Sequence, residues 1–205
     1  MDSALVDELA EWIRIPSVSA DPAHADDVRR AADWLCERLK AAGGHAEIVD
    51  WNGSPLAIGE IRASDGADSA PTVLCYGHFD VQPPDPLDLW TVPPFDATVE
   101  GEWLVGRGVA DDKGQLFLLL KAAERLARAG ELPVNLRFTC DGEEETGGHS
   151  IVDFLTEDER GADELAHPLR RPDHVGPVRG VCADRRDAEE LRQLVEPGLG
   201  HRARA

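Results

Sequence analysis

The chain has 205 residues, enough for one or two domains, and its hydrophobic content of 42% is sufficient for a core. Acidic residues outnumber basic ones by 40 to 21, and the formal net charge of -19 excludes a nucleic-acid-binding function because phosphates would be repelled. No apolar stretch has the length of a membrane span, and the N-terminus lacks signal-peptide features. We therefore expect a cytoplasmic protein that binds neither nucleic acid nor membranes.

The first half of the chain predicts two helices followed by strands. Residues 4–15 and 26–42 carry apolar side chains at helical spacing. Pro16 lies beyond the end of the first helix, and Gly43-Gly44 ends the second. Three short strands follow, over residues 46–49, 56–61 and 72–76.

The second half alternates strands with helices. After a proline-rich loop over residues 83–94, the predicted elements are a hairpin formed by residues 97–99 and 103–105, a helix over 115–129, a strand over 134–140 and a helix that opens at 148–155. Such alternation predicts an α/β fold, a layered sheet with helices on both faces.

Three acidic clusters lie beside glycines at predicted strand ends or helix starts: His78-Phe-Asp80, Asp111-Asp112 and Glu143-Glu144-Glu145. Two of them follow buried strands, and ligands bind beyond the carboxyl ends of strands in open α/β sheets. Carboxylates gathered at one point repel each other unless a cation neutralises them. A histidine among them favours a transition metal over calcium. The sequence therefore predicts a metal site.

Local geometry suggests which of these side chains contact each other and which face a metal or the substrate. Residues two apart on an extended chain point to the same side, so His78 and Asp80 can touch, and a carboxylate beside a ligating imidazole fixes its tautomer. Glu144 and Glu145 are adjacent and should point differently, one to a metal and the other to the substrate. Each cluster alone would indicate a turn pair, a solvated helix start or an N-cap. Their joint occurrence favours a metal site.

Three stretches carry a family resemblance: Tyr76-Gly-His-Phe-Asp-Val-Gln-Pro83, Gly106-Arg-Gly-Val-Ala-Asp-Asp-Lys-Gly114 and Asp141-Gly-Glu-Glu-Glu-Thr-Gly-Gly148. In letters, order and spacing they resemble the signature stretches of the dinuclear zinc metallopeptidases, a family that includes carnosinases, cytosolic dipeptidases, aminoacylases and glutamate carboxypeptidases. The resemblance runs from the N-terminus to about Glu164. Its first stretch is most similar to the dipeptidase branch.

This resemblance implies two divalent metal ions, with zinc expected and cobalt or manganese as alternatives. His78 would bind one metal and Asp80 would orient it, while Asp111 would bridge both metals and be followed by a cis peptide bond. Glu145 would bind the second metal. Glu144 would be the general base that takes a proton from the attacking water and returns it to the leaving amine.

The implied function is hydrolysis of the amide bond in dipeptides or small peptides. A deacylase of N-acyl amino acids is the alternative inside the family, because the three motifs barely separate these substrates. An alternative of a different class is a non-catalytic, truncated remnant.

Family members are considerably longer, and many dimerise through a lid and dimerisation domain that is absent here. We expect residues 1–164 to be the N-terminal part of the catalytic domain. Residues 165–205 are rich in Arg, Pro, Gly and Ala without any aromatic residue, and predict an aberrant tail without a buried strand, as out-of-frame or degenerate coding sequence would give. Within this tail, His167, Asp173 and His174 are alternative metal ligands.

Overall fold

The computed structural model describes residues 3–158 and 160–166. Its helices and strands follow the order expected for an α/β protein. The helices are α1 (Ser3–Ile13), α2 (Ala25–Ala41), α3 (Lys113–Ala129) and α4 (Ser150–Glu157). The strands are β1 (His45–Trp51), β2 (Ser54–Ile61), β3 (Thr72–His78), β4 (Thr98–Glu100), β5 (Trp103–Val105), β6 (Asn135–Asp141) and β7 (Glu164–Ala166).

Every helix and strand predicted before residue 158 is present, and the differences lie at the ends. Strand β3 continues to His78 and β6 to Asp141, so the sequence prediction placed the ends of both strands too early. The reason is that each extra residue pairs with the neighbouring strand, since His78 lies opposite Asp141 in the parallel register. Two motif residues are therefore held by the sheet itself.

Five strands form the main sheet in the order β1-β2-β6-β3-β7. Strands β6 and β7 run parallel to β3 on either side of it, whereas β2 runs antiparallel to both β1 and β6. Strands β4 and β5 form a separate hairpin. Strand β7 was not predicted, since the sequence indicated no strand from residue 165 onward. Its three residues cross the predicted domain boundary at residue 164 and extend the sheet beyond β3.

Helices cover both faces of the sheet, as predicted. Side chains of α1, α2 and α3 pack with Cys75, Phe138 and Cys140 in the larger core cluster. On the opposite face, α4 packs against Leu74 and Tyr76. The alternation of adjacent β3 residues between the two clusters is the period-two pattern of a strand covered on both sides.

Helix α1 is fixed to its neighbours through Trp12, which is fully buried. Its indole N–H donates to the carbonyl oxygen of Ala31 at 3.0 Å, and its ring stacks on that of Trp34 with 4.7 Å between centroids. Both contacts fix α1 against α2. Among the residues described, no helix combines the length and the apolar character needed to cross a membrane.

Candidate metal centre

The ring of His78 lies at the middle of the predicted site. It is almost completely buried at the end of β3. Its Nε2 atom lies 3.0 Å from Oδ1 of Asp111 and 3.8 Å from Oε2 of Glu144. The first and third acidic clusters thus meet where the parallel strands β3 and β6 end, and the loop before α3 brings the second cluster to the same place.

A group of potential ligand atoms is formed by His78, Glu144 and Glu145, whose ring nitrogen and carboxylate oxygens all lie within 4.8 Å of one another. The different roles expected for the two adjacent glutamates stay a prediction, because both carboxylates reach the same place. They lie in a short 3-10 turn, Glu144–Thr146, where the chain is not extended, so the alternation of a strand does not apply. Asp111 contacts His78 but lies outside this group, with its side chain 62% exposed.

Glu143 serves a structural purpose instead. Its Oε1 accepts the backbone N–H of Ser150 at 2.9 Å, at the start of α4. A carboxylate at a helix N-terminus satisfies a free amide and is favoured by the helix dipole. Glu143 therefore holds the third motif against α4 and leaves the two following glutamates for the site.

Asp80 is fully buried behind His78. The Nδ1 atom of His78 lies 3.2 Å from the backbone oxygen of Asp80 and 3.3 Å from its Oδ1. The predicted contact between the two residues is therefore present, although the imidazole also faces the main-chain oxygen. An oxygen at Nδ1 favours the tautomer that leaves Nε2 to face the acidic cluster.

The peptide bond between Asp111 and Asp112 is cis, as the resemblance implied. Asp112 occupies the N-cap position of α3, but its side chain makes no capping hydrogen bond. Its Oδ2 instead accepts the backbone N–H of His78 at 3.3 Å. Gly77 leaves room for this contact, since a Cβ there would lie 2.8 Å from that oxygen.

The site is strongly acidic and short of compensating charge. Burial raises the pKa of both Glu144 and Glu145, and it raises the pKa of Asp112 and Asp141 to about 7. Burial acts to lower the pKa of His78, but hydrogen bonds with Asp111 and Asp80 outweigh it and raise the value to about 11. Without a metal, a proton on His78 provides the positive charge that the carboxylates demand.

The chemistry of the donor atoms fits a cation, and buried carboxylate oxygens nearby lack partners. Oδ1 of Asp112 and Oδ2 of Asp141 are buried without a hydrogen-bond partner, although buried polar atoms are usually paired. One imidazole with several carboxylates is a donor set that suits zinc, manganese or cobalt. Within residues 3–158 and 160–166, no other group of at least three His, Cys, Asp or Glu side chains converges in this way. His167, Asp173 and His174 lie outside the described residues.

Two contacts at the site were not foreseen. Ser19 donates its hydroxyl to Oδ2 of Asp80 at 2.5 Å, across a separation of 61 residues that no local pattern reveals. Gln82 donates its side-chain amide to Oε2 of Glu145 at 2.8 Å and to its backbone oxygen at 2.9 Å. Gln82 belongs to the first motif, but a sequence cannot show which oxygen an amide will reach.

Lys113, directly after the cis peptide, is fully buried. Its ammonium group donates to the carbonyl oxygens of Trp12 and Ile15 at 3.1 and 2.8 Å. Burial lowers its pKa to about 7. Lys113 therefore ties the loop that carries Asp111 to the end of α1.

Comparison with known proteins gives consistent results. Residues 74–192 match the model of peptidase family M20/M25/M40, a range that extends past Glu164. The "Cys-Gly metallodipeptidase dug1" of Schizosaccharomyces pombe is 35% identical over 159 residues, covering 73% of this chain and 33% of the relative. The human "Beta-Ala-His dipeptidase" is 31% identical over 161 residues, covering 73% of this chain and 32% of the relative.

Solved structures agree with this result. An M20 family metallo-carboxypeptidase from Sulfolobus solfataricus, Sso-CP2, superposes with a TM-score of 0.73 at 32% identity over 82% of this chain and 37% of that one. Human carnosine dipeptidase 1 superposes with a TM-score of 0.73 at 28% identity over 80% and 38%. The chain thus spans about a third of the length of the curated relatives it matches.

The family model covers more than half of the chain. The resemblance drawn from the three motifs is therefore confirmed, and the α/β fold agrees with that of the solved relatives. The chain belongs to peptidase family M20/M25/M40.

Proposed function

We propose that this chain forms part of a metal-dependent hydrolase that cleaves the amide bond of dipeptides or small peptides. The observation that carries the proposal is the convergence of Asp111, Glu144 and Glu145 on the ring of His78. The names of the relatives support it, since they include a Cys-Gly metallodipeptidase and a Beta-Ala-His dipeptidase.

In this proposal His78, Asp111 and Glu145 would hold two divalent ions, with zinc expected first. Bound ions of this kind polarise a carbonyl group and lower the pKa of a water molecule, so that a nucleophile exists at neutral pH. The protein supplies the donor atoms and fixes their directions. Asp80 keeps the imidazole of His78 turned toward the ions through its contacts at Nδ1.

Glu144 is the better candidate for the general base. The carboxylate of Glu145 is held by Gln82, as a ligand that must keep its direction should be. Within the described part of the chain, the carboxylate of Glu144 has no hydrogen bond comparable to the one from Gln82, and it lies 3.8 Å from Nε2 of His78. Burial raises its pKa, which brings a carboxylate closer to the range that suits proton transfer near neutral pH.

Substrate panels test the proposal. The purified chain, loaded with Zn²⁺, Co²⁺ or Mn²⁺, is assayed against dipeptides and against N-acyl amino acids, with Glu144→Gln as control. Cleavage of dipeptides supports the proposal, and cleavage of acyl amino acids alone would favour the deacylase. No turnover together with no metal uptake would favour a non-catalytic remnant.

The expected activity of the 205 residues alone is low. His78, Asp111 and Glu145 are three matched side chains for two metal ions, whereas a catalytic zinc usually has three protein donors of its own. We therefore expect weak metal binding and little turnover. Three further expectations remain predictions: dimerisation through a further domain, a cytoplasmic location, and the division into a catalytic part up to residue 164 and an aberrant tail.

A further inference from the structure

Asp80 joins three parts of the site through one buried carboxylate. Its Oδ1 lies 3.3 Å from Nδ1 of His78. Its Oδ2 accepts two hydrogen bonds, one from the backbone N–H of Glu145 at 3.0 Å and one from the hydroxyl of Ser19 at 2.5 Å. The side chain is completely buried, so water cannot replace a lost partner without a rearrangement. The direction of the Asp80 carboxylate therefore depends on these contacts.

The segment that carries Ser19 is fixed independently of this contact. Val18 forms a parallel bridge with Val81, and the backbone N–H of Val81 donates to the carbonyl oxygen of Ser17 at 2.9 Å. The hydroxyl of Ser17 donates to the backbone oxygen of Phe79 at 2.6 Å. Residues 17–19 thus run beside the chain that follows β3, which brings the hydroxyl of Ser19 to Asp80.

We propose that Ser19 is a positioning residue of the metal centre, acting through Asp80 on both His78 and Glu145. The inference rests on the proposed function, because its purpose is to hold two metal ligands in fixed directions. A hydroxyl that donates to a buried carboxylate forms a charge-assisted hydrogen bond, which is stronger than a neutral one. The hydroxyl of Ser19 and the backbone N–H of Glu145 are the two donors to Oδ2.

Removal of the hydroxyl has two consequences. Oδ2 of Asp80 keeps one donor in a buried position, and a buried acceptor that loses a partner carries a desolvation penalty, which favours a turn of the carboxylate. A turn of the carboxylate lengthens the contact with the amide of Glu145 and the contact with the ring of His78. Loss of a residue that orients a metal ligand typically weakens metal affinity by about 10–100-fold. We expect the low end of this range, because Asp80 itself remains.

The test compares four variants of the full 205-residue chain with the unmodified protein. Ser19→Ala removes the hydroxyl, and Ser19→Cys keeps a similar volume with a weaker donor. Ser19→Thr retains a hydroxyl. Ser17→Ala is the matched control, since it deletes a buried hydroxyl of the same segment whose partner is a backbone oxygen. Co²⁺ titration followed by visible absorption gives the affinity and the ligand field. Hydrogen exchange of the Glu145 amide is measured without metal.

Ser19→Ala and Ser19→Cys should weaken Co²⁺ binding, change the visible band and increase exchange at Glu145, whereas Ser19→Thr should stay close to the unmodified chain. Ser17→Ala should lower the melting temperature without changing the band or the exchange at Glu145. Two results would overturn the role of Ser19 while leaving the metal centre in place. One is a loss of Co²⁺ affinity in Ser17→Ala as large as that in Ser19→Ala. The other is a Ser19→Ala protein with unchanged exchange at Glu145 and unchanged affinity. An unmodified chain that takes up no Co²⁺ would overturn the proposed metal centre and this role with it.

Discussion

The backbone N–H of His78 donates to the side chain of Asp112 at 3.3 Å, which joins the last residue of β3 to the cap of α3. This contact links the first and second motifs through the carboxylate of the residue at the N-cap position of α3. Oδ1 of the same side chain is buried without a partner, and burial raises the pKa of Asp112 to about 7. The arrangement is costly in a metal-free protein, because a buried carboxylate is easier to protonate than to keep charged.

The stability of the metal-free chain should therefore fall as the pH rises. Asp112 and Asp141 have pKa values of about 7 against 3.8 for the ordinary side chain, so the folded state binds more protons between these values and loses stability as the pH rises through them. His78, with a pKa of about 11 against 6.5, adds stability that is lost as the pH rises above 6.5. Melting temperatures in EDTA between about pH 5 and pH 9 test this expectation.

A variant and a metal titration extend the measurement of melting temperature against pH. Asp112→Asn keeps an oxygen that can accept the N–H of His78 but carries no charge, so its stability should depend less on pH. Zn²⁺ replaces protons on the ligands, and it should raise the melting temperature more at about pH 8 than at about pH 5. A metal-free chain that becomes more stable as the pH rises would contradict the assignment of these buried groups.

Gly114→Ala should destabilise the fold. Gly114 is the second residue of α3, and a Cβ there would overlap the backbone carbonyl oxygen of Val109 in the loop that carries Asp111. Because backbone atoms cannot move aside as a flexible side chain can, we expect a loss of about 2 kcal/mol in the free energy of unfolding. Urea denaturation measures it. Leu118→Ala, on the exposed face of the same helix, should change stability by less than about 0.5 kcal/mol.

The fold was largely predictable because its signals are local. Apolar periodicity identified α2 and α3, and the apolar run before His78 identified a strand buried on both faces. Strand β7 was missed because its three residues pair with β3, and their own sequence gives no periodic pattern. In the site, the motifs indicated which residue types converge. The hydroxyl of Ser19 reaches Asp80 through a tertiary contact, which a single sequence does not encode locally.

Gln82→Ala should weaken metal binding without unfolding the chain. Gln82 is exposed, so its loss should change stability by less than about 0.5 kcal/mol. Its amide holds both the carboxylate and the backbone oxygen of Glu145, and removal of such a contact should lower Co²⁺ affinity about tenfold. Thr146→Ala is the control, because Thr146 lies in the same turn but donates to the backbone oxygen of Glu143. If both variants lose affinity equally, loosening of the turn is the cause.

Replacing Glu144 or Glu145 by glutamine should affect different properties, namely turnover in one variant and metal affinity in the other. Both carboxylates lie in one group with His78, so position alone does not distinguish a base from a ligand. Glu145→Gln removes a charged donor that Gln82 holds in place, and Co²⁺ affinity should fall at least tenfold, comparable to the loss of an orienting residue. Glu144→Gln should keep affinity within about threefold but abolish any turnover of the loaded protein, since an amide cannot accept the proton. Isothermal titration with Co²⁺ and a dipeptide assay on the same samples measure both effects. Loss of metal in Glu144→Gln with retention in Glu145→Gln would mean that the two roles are exchanged.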